Sequence, residues 1–363
     1  MTQIFGKRYG KSDLLDVVGD MSQLAHARRS EQVEGPQQGA GLIEVFNASG
    51  LCFSLLPGRS LDIASAHYKG MSLCYRSKTG DVGPAFYEPS GLGWLRGFFG
   101  GLLTTCGWTY VGDPDVDAAE ENEALGQHGR AAYLAARDVG VKADWEGDDY
   151  VVRASGLMRE ATALGTALEV RREISTVLGE KCLRIHDRVE NIGATRAPLM
   201  VVYHANAGFP LLDEGARFLI NSEESTEWLE NRQVGPDVYS LATRPVADEH
   251  DEVFVHLPRA DADGHSGVAL VNDALGLGIY LTFPVSEIPL VNHWQHFHRR
   301  NYVVGIEPGN CSVLGRDSNR ERGYLQHVEP GEVREFHLEI GVLDGSEEIE
   351  AFEIALSRAS GRP

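Results

Sequence analysis

Four short segments concentrate histidine, carboxylate and amide side chains where strands would end, and these residues could do chemistry. Gly126–Arg130 (GQHGR) sets His128 among small residues that leave backbone space for a ligand, although a turn with an incidental histidine would read the same. In Tyr203–Pro210 (YHANAGFP) an apolar strand runs into His204 and Asn206, then bends at Gly208 and Pro210. A polar pair at the end of a buried strand is a common placement for ligand contacts; the plainer reading is a histidine satisfied by backbone. Asn292–His298 (NHWQHFH), taken as a strand, is expected to put His293, His296 and His298 on one face and Trp294 on the other. Imidazoles suit several divalent metals, but three such close strand positions are awkward ligands for one ion, so no metal is expected. In Gly305–Asn310 (GIEPGN), Glu307 follows the apolar run Tyr302–Ile306 and precedes a Pro-Gly turn. A carboxylate there is expected to be partly desolvated, which raises its pKa and makes it a better general base; otherwise it is a surface glutamate opening a turn.

Other chemistries find little support. The chain contains no GxGxxG, Walker A, GxSxG or HExxH pattern, and the glycines of FFGGLLTTCG (Phe98–Gly107) do not form a phosphate motif. Cys106 and Cys311 have no local activating group and read as small buried residues. The five cysteines are widely spaced with no CxxC, and the N-terminal stretch has no apolar core of a secretory signal, so a reducing cytoplasm is expected. A net charge of −20 disfavours nucleic acid and anionic membrane surfaces and leaves neutral small molecules as partners. Apolar runs such as Leu199–Tyr203 are far short of the ~20 residues of a membrane span.

The elements that must position these residues read mostly as strands. Leu42–Leu56 alternates apolar and polar residues; Glu169–Ile174 and Lys181–Val189 form a pair around Leu178-Gly179-Glu180. Ala197–His204, Gly267–Val271, Gly278–Phe283, Asn301–Ile306 and Glu332–Leu343 complete the set, with Asn272–Leu277 holding a turn. Lys11–Leu24 holds one or two helical turns with Ser12 or Asp13 as N-cap candidate, and 113–124 and 248–252 read as exposed loops. Many short strands without βαβ alternation predict an all-β sandwich or barrel. The 363 residues read as one large domain, 1–363, with residues 1–35 a partly helical or extended lead-in.

Taken together, LPGRSLDI (Leu56–Ile63), WLRGFFGGLLTTCG (Trp94–Gly107), GQHGR, RVENIGATRAPLMVVYHANAGFPLLDEGA (Arg188–Ala216) and YVVGIEPGN (Tyr302–Asn310) resemble the galactose mutarotase-like superfamily. Within it the chain is similar to the aldose 1-epimerase-like branch described as the domain of unknown function 4432 family. The resemblance implies a large twisted antiparallel β-sandwich, or supersandwich, with few short helices and an open sugar cleft. It also implies an isomerase that interconverts sugar anomers, with Glu307 as base, His204 as acid and His128 as a substrate-binding histidine. The sugar-binding arginine would be Arg59, Arg96 or Arg130, with Arg59 favoured. Asn206 is a further substrate contact, and Trp294 is the aromatic expected to stack on the sugar. His204 and Glu307 should face each other across a sugar ring. No cofactor is implied, because proton transfer alone suffices. Two other functions fit the same cleft. One is metal-assisted isomerisation or elimination on an oxidised sugar, with His128, His204, His293, His296 or Glu307 as ligands; the other is a non-catalytic carbohydrate-binding module.

Overall fold

The computed structural model describes residues 1–119, 123–228, 231–247 and 251–359. Three antiparallel sheets, two of eight strands and one of five, make an all-β sandwich with few short helices. Seven strands carry the functional argument: β1 (Thr104–Trp108), β2 (Cys182–Asn191), β3 (Ala197–Ala207), β4 (Asp251–Pro258), β5 (Leu290–His298), β6 (Asn301–Gly309) and β7 (Val333–Asp344). In one eight-stranded sheet the order β4-β5-β6-β3 is continuous, and β1 also pairs with β3. In the other, β2 and β7 are neighbours. The five-stranded sheet runs from His26–Glu31 to Met71–Ser72.

The two-residue period of side chains explains the layering. Along Ala167–Val177, Leu168, Val170 and Ile174 turn inward while Arg171 faces solvent. β3 is buried at every position, which is why it reads as an apolar run rather than an alternation. One apolar cluster joins the sheets: Leu168 and Ile185 from one, Val291 and Ile306 from the next, Ile43 and Leu55 from the third.

Several local expectations shift. The N-terminal helix is Lys11–Val17, capped at Gly10; Asp13 lies in its first turn and accepts from the Gly10 N–H at 2.7 Å. Within 113–124 the described residues form a small hairpin, Asp115–Asp117 against Glu123–Leu125, while 120–122 lie outside the described residues. Residues 248–250 of the second expected loop also lie outside them, and Asp251 and Glu252 open β4. A helix not foreseen, Ser346–Ser357, closes the described chain.

Candidate active site

The pairing of β3 with β6 makes the centre of the site. Ala205 lies opposite Ile306, which sets His204 beside Glu307 on adjacent strands. His204 Nε2 and Glu307 Oε1 are 3.1 Å apart, and both side chains are almost wholly buried. The contact is not an aligned hydrogen bond; Glu307 Oε1 and, elsewhere on the imidazole, His204 Nδ1 have no hydrogen-bond partner among the described residues. The pair thus stands side by side in one wall, not on opposite sides of a ring-sized gap as expected. Neighbouring strands lie only ~5 Å apart, too close for a ring between their side chains.

Gly305 makes this arrangement possible. It precedes Glu307 by two residues on the same face and lies opposite Trp294 of β5. A Cβ at residue 305 would sit 2.2 Å from Glu307 Oε1 and 3.2 Å from His204 Cε1, so only glycine leaves the carboxyl and imidazole in place. His128 arrives from a turn in which its own φ is +52°. Its N–H donates to Gly112 O at 2.8 Å and its carbonyl accepts from Gly107 N at 2.9 Å. Its ring lies 6.3 Å from that of His204.

These residues line a cleft of about 550 Å³ that also includes Tyr75, Lys78, Trp94, Phe98, Gln127 and Trp294, within the ~300–1,000 Å³ usual for small-molecule sites. Five buried polar atoms on cleft-lining residues have no hydrogen-bond partner among the described residues: Trp94 Nε1, Gln127 Oε1, His128 Nδ1, His204 Nδ1 and Glu307 Oε1. Buried polar groups are ordinarily paired, so this concentration of unpaired ones around one cleft is unusual. Burial pushes the Glu307 carboxyl up to about 8. It pushes the His204 imidazole down to about 3, with nearby His128 adding to the effect, and His128 down to about 4. In both cases the low-polarity surroundings disfavour the charged form.

The comparisons with known proteins bear on the family and the fold. The family model described as Domain of unknown function (DUF4432) matches residues 37–342. The chain belongs to the DUF4432 family. A Klebsiella pneumoniae structure, whose own name as an aldose 1-epimerase is provisional, is similar over 97% of this chain and 91% of that one, with 26% identity and a TM-score of 0.87. A galactose mutarotase-like protein from Clostridium acetobutylicum is similar over 88% of this chain and 99% of its own, with 14% identity and a TM-score of 0.58. A galactose 1-epimerase from Lactobacillus acidophilus NCFM shares the fold over 88% and 99% of the two chains, with 10% identity and a TM-score of 0.59. No curated protein matches.

Not every expected site residue of this DUF4432 chain reaches the cleft. Arg59 is buried in a short turn, where its guanidinium donates to the carbonyls of Ala132, Val82 and Gly97 and lies 3.9 Å over the Tyr133 ring. Each of its three nitrogens donates to a backbone carbonyl of the fold. Arg130 is exposed, and Arg96 pairs on the surface with Glu88 at 3.2 Å; neither is a cleft-lining residue. The cation among the described cleft residues is Lys78, whose ammonium donates to Asn301 Oδ1 at 2.9 Å. Asn206 is fully buried and spends its amide on the carbonyls of His204 and Gly100. The three histidines of β5 do not share a face. Residues 294, 296 and 298 fall on one side and 293 on the other, because only positions of equal parity coincide on a strand. His293 stacks on Phe218 with ring centres 3.7 Å apart, away from the cleft. Trp294 does line it, and its indole N–H donates to Asp251 Oδ1 at 2.9 Å. His296 also lines the cleft, with Nδ1 2.5 Å from the same oxygen. Glu307 lies inside β6, which continues through Gly309. Cys106 and Cys311 are buried, with thiols pushed up by burial, as expected of packing residues.

The sequence reading missed Trp94, Phe98, Gln127 and Lys78 as cleft residues; Trp94 and Phe98 lay within a quoted motif that pointed to the fold. It also missed a buried ionic cluster behind β3. Arg172 makes a two-pronged contact with Asp187, at 2.8 and 2.6 Å, and reaches Asp62 at 3.1 Å and Thr105 Oγ1 at 2.8 Å. Tyr203, next to His204, donates to Asp187 at 2.8 Å. The cluster ties the strand bearing His204 to all three sheets.

Proposed function

We propose that this protein is a sugar mutarotase, an isomerase that interconverts the anomers of a free aldose in this cleft. The observation that carries the reading is the His204–Glu307 contact of 3.1 Å in the wall of a cleft whose lining residues hold several unpartnered buried polar atoms. The sugar lies over the pair, with its anomeric C1–O1 and ring O5 toward the two side chains. Trp94, Phe98 and Trp294 offer apolar surface to the faces of the ring. His128 offers a neutral imidazole to a hydroxyl, because burial holds it uncharged near neutral pH.

Burial favours the uncharged pair at rest, with the proton on Glu307 and a neutral His204. A small side-chain rotation that aligns the contact lets that proton cross, giving a carboxylate and an imidazolium without changing the proton count of the pair. The carboxylate takes the O1 proton as the C1–O5 bond breaks, and the imidazolium protonates O5. The product is an open aldehyde over the same uncharged pair that burial favours. Rotation about C1–C2 presents the other carbonyl face. Closure reverses the transfers: O5–H returns its proton to His204, and Glu307 returns its proton to the carbonyl oxygen. No redox cofactor enters this cycle. The reading takes residues 1–363 as one domain acting in the cytoplasm on a small sugar.

The test is NMR saturation transfer between anomers over a panel of aldoses, with binding measured in parallel. Wild type should speed exchange of at least one sugar. Glu307→Gln and His204→Asn should each lose ~10²–10⁴-fold in rate with little change in affinity. Because the two act as one relay, the double variant should be scarcely worse than the poorer single one. Full exchange by Glu307→Gln would remove this glutamate from the mechanism. Sugar binding with no exchange by wild type would make the protein a binding module instead.

A further inference from the structure

The strands β2 and β7 carry a second constellation, on the sheet that does not contain the cleft. His186 of β2 lies directly opposite His337 of β7, and their rings stack with centres 4.4 Å apart at 12°. Glu335 precedes His337 by two residues and so shares its face. The flanking residues Ile185 and Asp187 are buried, which turns His186 outward. One donor atom from each of His186, Glu335 and His337 lies within 4.8 Å of the others.

Two further features distinguish this triad from a chance surface cluster. His186 Nε2 is buried yet has no hydrogen-bond partner among the described residues, and it stands 3.9 Å from Glu335 Oε1. On the other side, His337 Nδ1 faces the Glu287 carboxylate at 3.0 and 3.1 Å. Glu287 is itself held by the His337 backbone N–H at 2.7 Å. A carboxylate on one ring nitrogen puts the proton there, which leaves Nε2 with a lone pair and fixes the ring. That is the outer-shell arrangement found behind metal-bound histidines. Bonds of about 2.0–2.2 Å to an ion bring its donors within roughly 4 Å of one another. The rings stand nearly parallel, so closing the triad on one ion requires the exposed His186 and Glu335 side chains to turn toward His337.

We propose that His186, His337 and Glu335 form a binding site for a divalent transition ion of the zinc class, with Glu287 as the positioning carboxylate. Two imidazoles and one carboxylate suit zinc, cobalt or nickel rather than magnesium or calcium. The remaining positions open to solvent. The ion would link β2 to β7 across the sheet, and the site is independent of the sugar cleft and of any reaction there.

The test uses the untagged full chain stripped with EDTA, titrated calorimetrically with zinc chloride near neutral pH, with cobalt absorption as a second readout. Wild type should bind one ion. His186→Asn and His337→Asn should each weaken binding at least tenfold and change the cobalt spectrum. Glu287→Gln should weaken it by ~10–100-fold without removing a ligand. His67→Asn, on the five-stranded sheet, should bind as wild type does. Matching melting temperatures in EDTA would show that the variants remain folded. Absence of a one-to-one site in wild type, or affinity unchanged in both His186→Asn and His337→Asn, would overturn the proposal. So would an equal loss in His67→Asn.

Discussion

Replacing Glu307 with glutamine should stabilise the protein while disabling the proposed reaction. In the unfolded chain the carboxyl has its ordinary value of 4.5; in the fold burial raises it to about 8. Between those values the folded protein holds a proton that the unfolded chain releases. This group's contribution is therefore fully present below 4.5 and is lost as pH rises toward about 8. At about 1.4 kcal/mol per pH unit, the loss at pH 7.5 is about 4 kcal/mol. Glutamine has nearly the same shape and no proton to hold, so the variant escapes the loss. Urea unfolding of both proteins at pH 4.5, 6, 7.5 and 9 checks this. The two should be nearly equal at pH 4.5, and the variant should gain up to about 4 kcal/mol by pH 7.5, with little further change above pH 8. A variant no more stable than wild type at pH 7.5, or a gap independent of pH, would refute the account of Glu307 as a carboxyl whose proton affinity is raised by burial.

Other outcomes follow from the same geometry. Gly305→Ala should lower anomer exchange about as much as Glu307→Gln, because its Cβ would meet Glu307 Oε1 at 2.2 Å; circular dichroism should stay near wild type while saturation transfer falls. Arg172→Met leaves Asp187 and Asp62 buried without their cation, and urea unfolding should show a loss of about 3–5 kcal/mol. His256 is fully buried and its imidazole is pushed down to about 3 from an ordinary 6.5. A depressed histidine value means that the unfolded chain gains the proton first as pH falls. Stability should thus decline below pH 6.5 by about 1.4 kcal/mol per unit from this residue, and His256→Phe should flatten that slope in urea titrations from pH 6.5 to 4.

The sequence by itself determined the class of fold. Alternation and turn residues marked the strand pairs around Gly179 and around 272–277, and these stand as Ala167–Val177 with Cys182–Asn191 and His265–Asn272 with Leu277–Pro284. Patterns of period two are local, so one chain suffices to read them. His128, His204, Glu307 and Trp294 were also legible, because polar residues beside apolar runs and glycines are uncommon enough to notice. Which cations line the cleft was not legible. Arg59 and Lys78 are both cations near strand ends, and only the packing of Tyr133 and the carbonyls around Arg59 turns that one inward. The closeness of His204 to Glu307 depends on the register of β3 with β6, whose residues lie about a hundred positions apart. The raised value of Glu307 depends on burial supplied by the whole sandwich. The triad of His186, Glu335 and His337 likewise comes from two strands paired across most of the second half of the chain. Long-range register and burial are properties of the assembled sheets, and no local pattern of residues encodes them one segment at a time.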